Sequence, residues 1–246
     1  MEDKSKFSAV IIGAGDGLGA SLSKKFASEG YIVCPVRRPR NKTKVQALAN
    51  NILKNGGEAV PFGVDARDEE ATKEMFHEIE TKIAPIEIMI FNIGANVFFP
   101  ILETPSRVYR KVWEMCAFAG FLSGKEAAKY MLSRNKGSIF FTGATASIRG
   151  GSGFSAFASG KFALRALAQS MARELGPQGI HVAHMIIDGA IDTDFIKKNF
   201  PDRYKLKDHD GILLPDKIAQ VYIDTHRQHR SAWTHELDLR PYMEKF

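Results

Sequence analysis

Residues 8–19, Ser-Ala-Val-Ile-Ile-Gly-Ala-Gly-Asp-Gly-Leu-Gly, constrain the fold more than any other stretch of the chain. The apolar run Val10-Ile11-Ile12 has the length and branching of a buried strand, and it stops at Gly13. A new period starts at once, with Leu18, Leu22 and Phe26 on one face of a helix. Between them lie Gly13, Gly15, Gly17 and Gly19. A strand that turns into a helix through glycines leaves bare N–H groups at the helix's positive end, and no Cβ keeps an anion away from them. The spacing marks Gly13 to Gly19, with Asp16 and Leu18 inside the turn, as the pyrophosphate cradle of a dinucleotide site.

The same alternation continues along the chain. Apolar strands are expected over residues 31–36, 58–64, 86–91, 138–142, 181–187 and 232–239, the last an edge strand. Helical periods fall at 44–55, 69–83, 154–175 and 215–227, and a long helix runs to about 133, with Thr104-Pro105 as its cap and first-turn proline. Strand after helix from end to end calls for a doubly wound α/β (Rossmann) sandwich of three layers around a parallel sheet. No linker or repeat divides the pattern, so residues 1–246 are expected to form one domain. The irregular, charged stretch 192–214 is expected to serve as a substrate lid. Ligands of such sheets lie beyond the carboxyl ends of the strands. Those ends collect Gly13–Gly19, Arg37-Arg38, Asp65-Ala66, Asn92-Ile93-Gly94, residues 143–147 and residues 188–193.

Composition removes several classes. No run of about 18 apolar residues is present, which argues against a membrane span. The opening Met1-Glu2-Asp3-Lys4-Ser5-Lys6 has no apolar signal region behind it, and a cytoplasmic protein is expected. Cys34 and Cys116 are then expected to be free. The net charge of +6 is concentrated in Arg37, Arg38, Arg40, Lys42 and Lys44, too narrow a footprint for nucleic acid. No metal site is expected: His181 and His184 point to opposite faces of a strand, and His226, His229 and His235 fall in a polar stretch read as solvated surface.

The second strand selects the nucleotide. An acid at its end would hold a ribose 2′-hydroxyl, whereas an arginine matches a 2′-phosphate. Here it ends Val36-Arg37-Arg38, so NADP(H) is favoured over NAD(H), with Asp16 in the glycine turn as the one opposing charge.

The Gly13-x-x-x-Gly17-x-Gly19 turn, Asp65, Asn92-Ile93-Gly94, Phe157-x-x-x-Lys161 and Ile191-x-Thr193, at their mutual spacing, resemble the short-chain dehydrogenase/reductase family along almost the whole chain. The resemblance implies a seven-stranded Rossmann sheet, a bound NAD(P), and a homodimer or homotetramer built on the two long helices. It places Asp65 and Ala66 at the adenine, Asn92-Ile93-Gly94 at the adenine ribose, Lys161 at the nicotinamide ribose, and Ile191 and Thr193 at the carboxamide. Asp188-Gly189 stands where the family usually has Pro-Gly.

The implied chemistry is hydride transfer with a tyrosine as proton donor, a lysine four residues later, a serine thirteen residues earlier and an asparagine on the preceding long helix. Of these the sequence keeps only Lys161: the other positions read Phe157, Ala144 and Cys116, and no other tyrosine has a lysine four residues on. Losing one acid–base group removes about 10²–10⁴-fold, which leaves turnover by another proton route possible. Lys161 through water, or Thr145 beside Ala144, is the expected source. Two readings follow: an oxidoreductase on a small carbonyl or alcohol with a non-standard proton route, or a pseudoenzyme that uses NADP(H) binding for sensing or partner regulation.

Overall fold

A computed structural model describes residues 6–244. The N-terminal five residues discussed above therefore lie outside the described residues. In chain order the elements are β1 (Ser8–Ile12), α1 (Leu18–Ser28), β2 (Ile32–Arg37), α2 (Lys42–Lys54), β3 (Glu58–Ala59), β4 (Phe62–Gly63), α3 (Glu69–Glu78) and β5 (Ile86–Phe91). There follow α4 (Ser106–Trp113), α5 (Ala119–Leu132), β6 (Gly137–Thr142), α6 (Ser155–Leu175), β7 (Ile180–Ile187), α7 (Asp194–Asn199), α8 (Pro201–Tyr204), α9 (Pro215–His226) and β8 (Glu236–Leu239).

The strands form one parallel sheet in the order β3-β2-β1-β5-β6-β7-β8, with β4 also pairing β2. The sheet thus has seven positions, the edge position beside β2 being broken into β3 and β4. Pro61 has no N–H to give a neighbour, and the ladder lapses there before β4 resumes on Val36 and Arg37.

Period-two alternation splits the core. On β1, Ala9 and Ile11 face α1, α2 and α9, whereas Val10 and Ile12 face α3, α5 and α6. On β5, Ile88 and Ile90 go with the first group and Met89 and Phe91 with the second. Both faces are covered, which is why the strands read as continuous apolar runs. The strand order reverses between β1 and β5, and there the helices leave to opposite faces and open a crevice at the carboxyl ends.

Three expectations are corrected. Thr104 does not cap the long helix: its hydroxyl donates to the Phe99 and Pro100 carbonyls, and α4 begins after Pro105. Residues 194–209 are not irregular but fold into α7, α8 and a 3₁₀ turn, elements too short to carry a visible helical period. The last strand is shorter than expected, since residues 230–232 form a 3₁₀ turn.

Candidate functional site

At Gly13 the chain leaves β1 with φ near +90°, a conformation glycine adopts without strain. Close approach matters as much: a Cβ on Gly13 would lie 2.8 Å from the Asn92 carbonyl oxygen, and one on Gly19 only 2.4 Å from that of Gly13. The turn therefore packs directly on the end of β5, where Asn92 Nδ2 donates to the Gly13 carbonyl at 3.2 Å. Gly17 precedes α1 with no side-chain cap, so the first amides of the helix point outward unpaired by any side chain. Beside them lies a cleft of about 300 Å³.

Gly13, Gly15, Gly17, Leu18, Gly19, Arg37, Arg38, Asp65, Ala66, Asn92, Ile93 and Gly94 all line this cleft. Asp16, Lys161, Ile191 and Thr193 are not among the residues that line it. A Cβ on Gly94 would meet nothing within 4 Å and one on Gly15 only a carbonyl at 4.0 Å, so both leave room for a ligand. An adenine nucleotide with its phosphates fits such a donor set: outward amides, open glycines and a cationic rim.

The cations at that rim are unequally engaged. Arg37 Nη1 donates to Asp16 Oδ1 at 2.7 Å, and Lys44 Nζ reaches Asp16 Oδ2 at 3.4 Å. Burial alone would raise the Asp16 carboxyl, but Arg37 and Lys44 outweigh it and hold it below its ordinary value. Arg67, which the sequence reading passed over, also lines the cleft. It grips Asp65 through Nε (3.0 Å) and Nη2 (2.6 Å), and this pairing, with the Arg67 amide, depresses the Asp65 carboxyl. Arg38 makes no ion pair or side-chain hydrogen bond among the described residues. Burial, and then the nearby charge of Arg40, lowers its guanidinium below the ordinary value, and the charge of Asp65 only partly opposes this.

The inner end of the crevice differs. Lys161, on α6, is 2% exposed. Its Nζ donates to the carbonyls of Thr142 (2.7 Å) and Ile93 (3.0 Å), and no carboxylate among the described residues pairs with it. Burial pulls its ammonium below the usual lysine range. Ile93 also lines the cleft, so its carbonyl joins the two ends. Around Lys161 stand apolar groups: Phe157 and Cys116 pack with Ala95, Val112 and Ala146, and Ala144 lies at their edge. Phe157 is 8% exposed and its ring centre is 5.9 Å from Lys161 Nζ. Burial raises the Cys116 thiol, and the Lys161 charge only partly opposes this. Cys34 and Cys116 are both free.

Thr145 does not face this cluster with a free hydroxyl. It donates to Asp188 Oδ1 at 2.5 Å, and the wholly buried Asp188 is approached by Arg149 at 3.7 Å and Arg240 at 3.2 Å. Asp188 thus binds the loop after β6 to the segment after β8. His184, also buried, gives Nδ1 to Glu236 at 3.0 Å, and burial drives it down to about 4 despite that carboxylate.

Residues 191–213 fold over the rim. The Asp192 amide donates to Leu213, Lys207 pairs with Asp192 at 2.8 Å, and Thr193 caps α7. Thr193 also touches the glycine turn, since a Cβ on Gly17 would lie 2.8 Å from its methyl carbon. The histidines at the chain end need a correction. His226 is not solvated but accepts or donates between the Tyr31 hydroxyl (2.9 Å) and Ser138 Oγ (2.8 Å), and burial brings it down to about 4. His235 lies against the Val182 carbonyl, and only His229 of the three is exposed. No metal-binding group of three or more ligands occurs among the described residues.

Residues 8–204 match the family model for short chain dehydrogenase, and the chain belongs to that family of nicotinamide-nucleotide oxidoreductases. A short-chain dehydrogenase from Rhodopseudomonas palustris is 48% identical, with 96% of this chain and 98% of that one covered at a TM-score of 0.82. A metagenomic short-chain oxidoreductase solved in complex with NADP shares the fold at 22% identity and a TM-score of 0.82, covering 97% and 99% of the two chains. The L-2,3-butanediol dehydrogenase of Corynebacterium glutamicum is 26% identical over 186 residues, 75% of this chain and 72% of that one. The chain spans 60–72% of the length of three curated relatives that it matches. Among the described residues no helix is long and apolar enough to cross a membrane.

Proposed function

We propose that the protein is an NADP(H)-dependent oxidoreductase that moves hydride to or from a small carbonyl or alcohol without a tyrosine proton donor. One observation carries this reading: the backbone of Ile93 forms both a wall of the nucleotide cleft and a seat for the buried Lys161 ammonium. The cation thus stands at the inner end of a crevice whose outer end offers outward amides and an unpaired arginine.

In this reading the amides at the start of α1 bind the pyrophosphate, Arg37 and Arg38 the 2′-phosphate, Asp65 and Ala66 the adenine, and Asn92 to Gly94 the adenine ribose. Lys161 holds the nicotinamide ribose, and Ile191 and Thr193 meet the carboxamide. Bound nicotinamide supplies or accepts the hydride. Phe157, Ala144 and Cys116 occupy the positions of the family's tyrosine, serine and asparagine. Lys161 then replaces the tyrosine as proton source, acting through water; its lowered affinity for a proton makes it a better acid than an exposed lysine. Thr145, its hydrogen held by Asp188, positions the loop that carries Ala144. Holding donor and acceptor together contributes on the order of 7–11 kcal/mol even where acid–base help is weak.

Fluorescence titration with NADPH and NADH tests the cleft, and a panel of small carbonyls and alcohols that includes 2,3-butanediol tests turnover. NADPH binding with hydride exchange is the expected result. The second reading, a pseudoenzyme, is favoured by the dry packing of Phe157, Cys116, Ala95 and Val112 where a substrate would enter. Tight NADPH binding with no exchange on any substrate would decide for it. A homodimer or homotetramer is proposed on the two long helical stretches, α4 with α5 and α6, where Trp113 and Phe121 of the first and Phe162 of the second stay exposed; light scattering measures the assembly.

A further inference from the structure

The glycine turn contains a carboxylate at a place built for anions. Asp16 lies between Gly15 and Gly17, with its side chain 70% exposed, and it takes one cation on each oxygen: Arg37 on Oδ1 and Lys44 on Oδ2. Those cations come from different elements, the end of β2 and the first turn of α2. Arg37 is held tightly enough that its side chain is only 15% exposed, and Asp16 is its one ion-pair partner among the described residues. Arg38, next in sequence and lining the same cleft, makes no ion pair among the described residues and feels only the more distant charge of Asp65. The arrangement is therefore a cationic rim of three groups, Arg37, Arg38 and Lys44, against which Asp16 sets a single negative charge shared by Arg37 and Lys44.

We propose that Asp16 is a tethered stand-in for the ligand's 2′-phosphate, a specificity-determining residue that NADP(H) must displace and NAD(H) need not. A phosphate brings three oxygens and nearly two charges to donors that the carboxylate serves with two oxygens and one charge, so it prevails, but at reduced affinity. Asp16 can give up these contacts at small cost, since its side chain is 70% exposed and exposed ion pairs are weak. Its displaced charge stays nearby and repels the bound phosphate. Asp16 thereby narrows the preference for NADP(H) that Arg37 and Arg38 create. The inference rests on reading this cleft as an NADP(H) site.

The test uses the purified full chain and its Asp16→Asn and Asp16→Ser variants, titrated with NADPH and with NADH at low salt. Because an exposed pair is worth little, the expected gain for NADPH is modest, about three- to tenfold in Kd. The NADH affinity should move by less than about twofold, because its free ribose hydroxyl does not contest the arginine. Melting temperatures confirm folding, which an exposed turn residue does not control. Unchanged NADPH-to-NADH ratios in both variants overturn the proposal. A loss of NADH affinity in the variants overturns it too, by showing that Asp16 holds the ribose hydroxyl instead. If wild-type protein binds neither nucleotide, the cofactor reading itself fails and takes the inference with it; if it binds both and the ratio stays fixed, only the role of Asp16 falls.

Discussion

The two ends of the crevice solve the problem of buried polarity in opposite ways. At the outer end charge is abundant and balanced in pairs: Asp16 with Arg37, and Asp65 with Arg67, both within reach of solvent. At the inner end Lys161 and His184 have almost no exposure. Lys161 rests on two carbonyls, and His184 has one carboxylate on Nδ1 while its buried Nε2 has no partner. An exposed pair gives up its partner at small cost, so the outer end can exchange internal ions for those of a ligand. A buried group without such a partner tends instead to lose its charge, and proton affinity becomes the adjustable property. The outer end is therefore expected to respond to phosphate and salt, and the inner end to protons.

The largest test of that contrast restores a hydroxyl to the inner end. Ala144→Ser with Phe157→Tyr is expected to raise turnover by about 10²–10⁴-fold if Lys161 alone now supplies the proton, with NADPH affinity unchanged. Steady-state rates with the best substrate of the panel measure it. Lys161→Met in the wild-type background is expected to abolish exchange while leaving the fold intact, since it removes a buried ammonium that no carboxylate offsets. Equal rates for wild type and Lys161→Met would deny the lysine its role.

At the outer end, Gly19→Val drives a branched side chain into the Gly13 carbonyl, 2.4 Å from the ideal Cβ. Overpacking costs of about 1–3 kcal/mol displace the turn, and the expected loss of affinity for both nucleotides is about a hundredfold. Calorimetric titration reads it. A variant that still binds either nucleotide normally would show that the ligand does not lie on this bend.

How far the sequence reaches differs between the ends as well. The sheet is legible because apolar runs such as Val10-Ile11-Ile12 and Ile86–Phe91 have no other stable place, and the glycine turn because its spacing serves close packing on Asn92. Arg67 was overlooked although Asp65-x-Arg67 carried a signal, a side chain two residues from an acid at a strand end. Asp188 was noticed only as a departure from Pro-Gly. Its neighbours Arg149 and Arg240 lie 39 and 52 residues away in the chain, beyond any local pattern. The burial of His226 is hidden for a similar reason: its neighbours in sequence are polar, whereas Tyr31, just before β2, and Ser138, on β6, approach it from far along the chain. The breaks at Pro61 and within 194–209 fall where elements are too short for periodicity to show.

The inner end also answers to pH in a direction fixed by its histidine. His184 is lowered to about 4 in the folded chain from an ordinary 6.5, so between these values the unfolded chain binds more protons. Stability is then full above pH 6.5 and falls as pH drops towards 4. The share of His184 in the loss between pH 7 and pH 5 is about 2 kcal/mol, and His226, which burial also holds near 4, adds a similar share. Denaturant melts at the two pH values measure it. His184→Gln is expected to roughly halve that slope, and an unaltered slope would assign the proton uptake to His226 alone.

The smallest effect sharpens the outer end. Arg38 is the rim cation without an internal partner, so removing it exposes no buried acid and leaves Asp16, Arg37 and Lys44 paired as before. A charge-assisted contact to phosphate is worth about 1.5 kcal/mol at a site this open, so Arg38→Ala should weaken NADPH by about tenfold. NADH, which has no phosphate on that ribose, should bind as it does to wild type. Raising salt from low to physiological strength should likewise weaken NADPH more than NADH, and less so in Arg38→Ala, because one screened contact has gone. Parallel losses for both nucleotides would place Arg38 against the pyrophosphate or the adenine and remove the basis for favouring NADP(H), whereas a loss confined to NADPH fixes the 2′-phosphate at the end of β2.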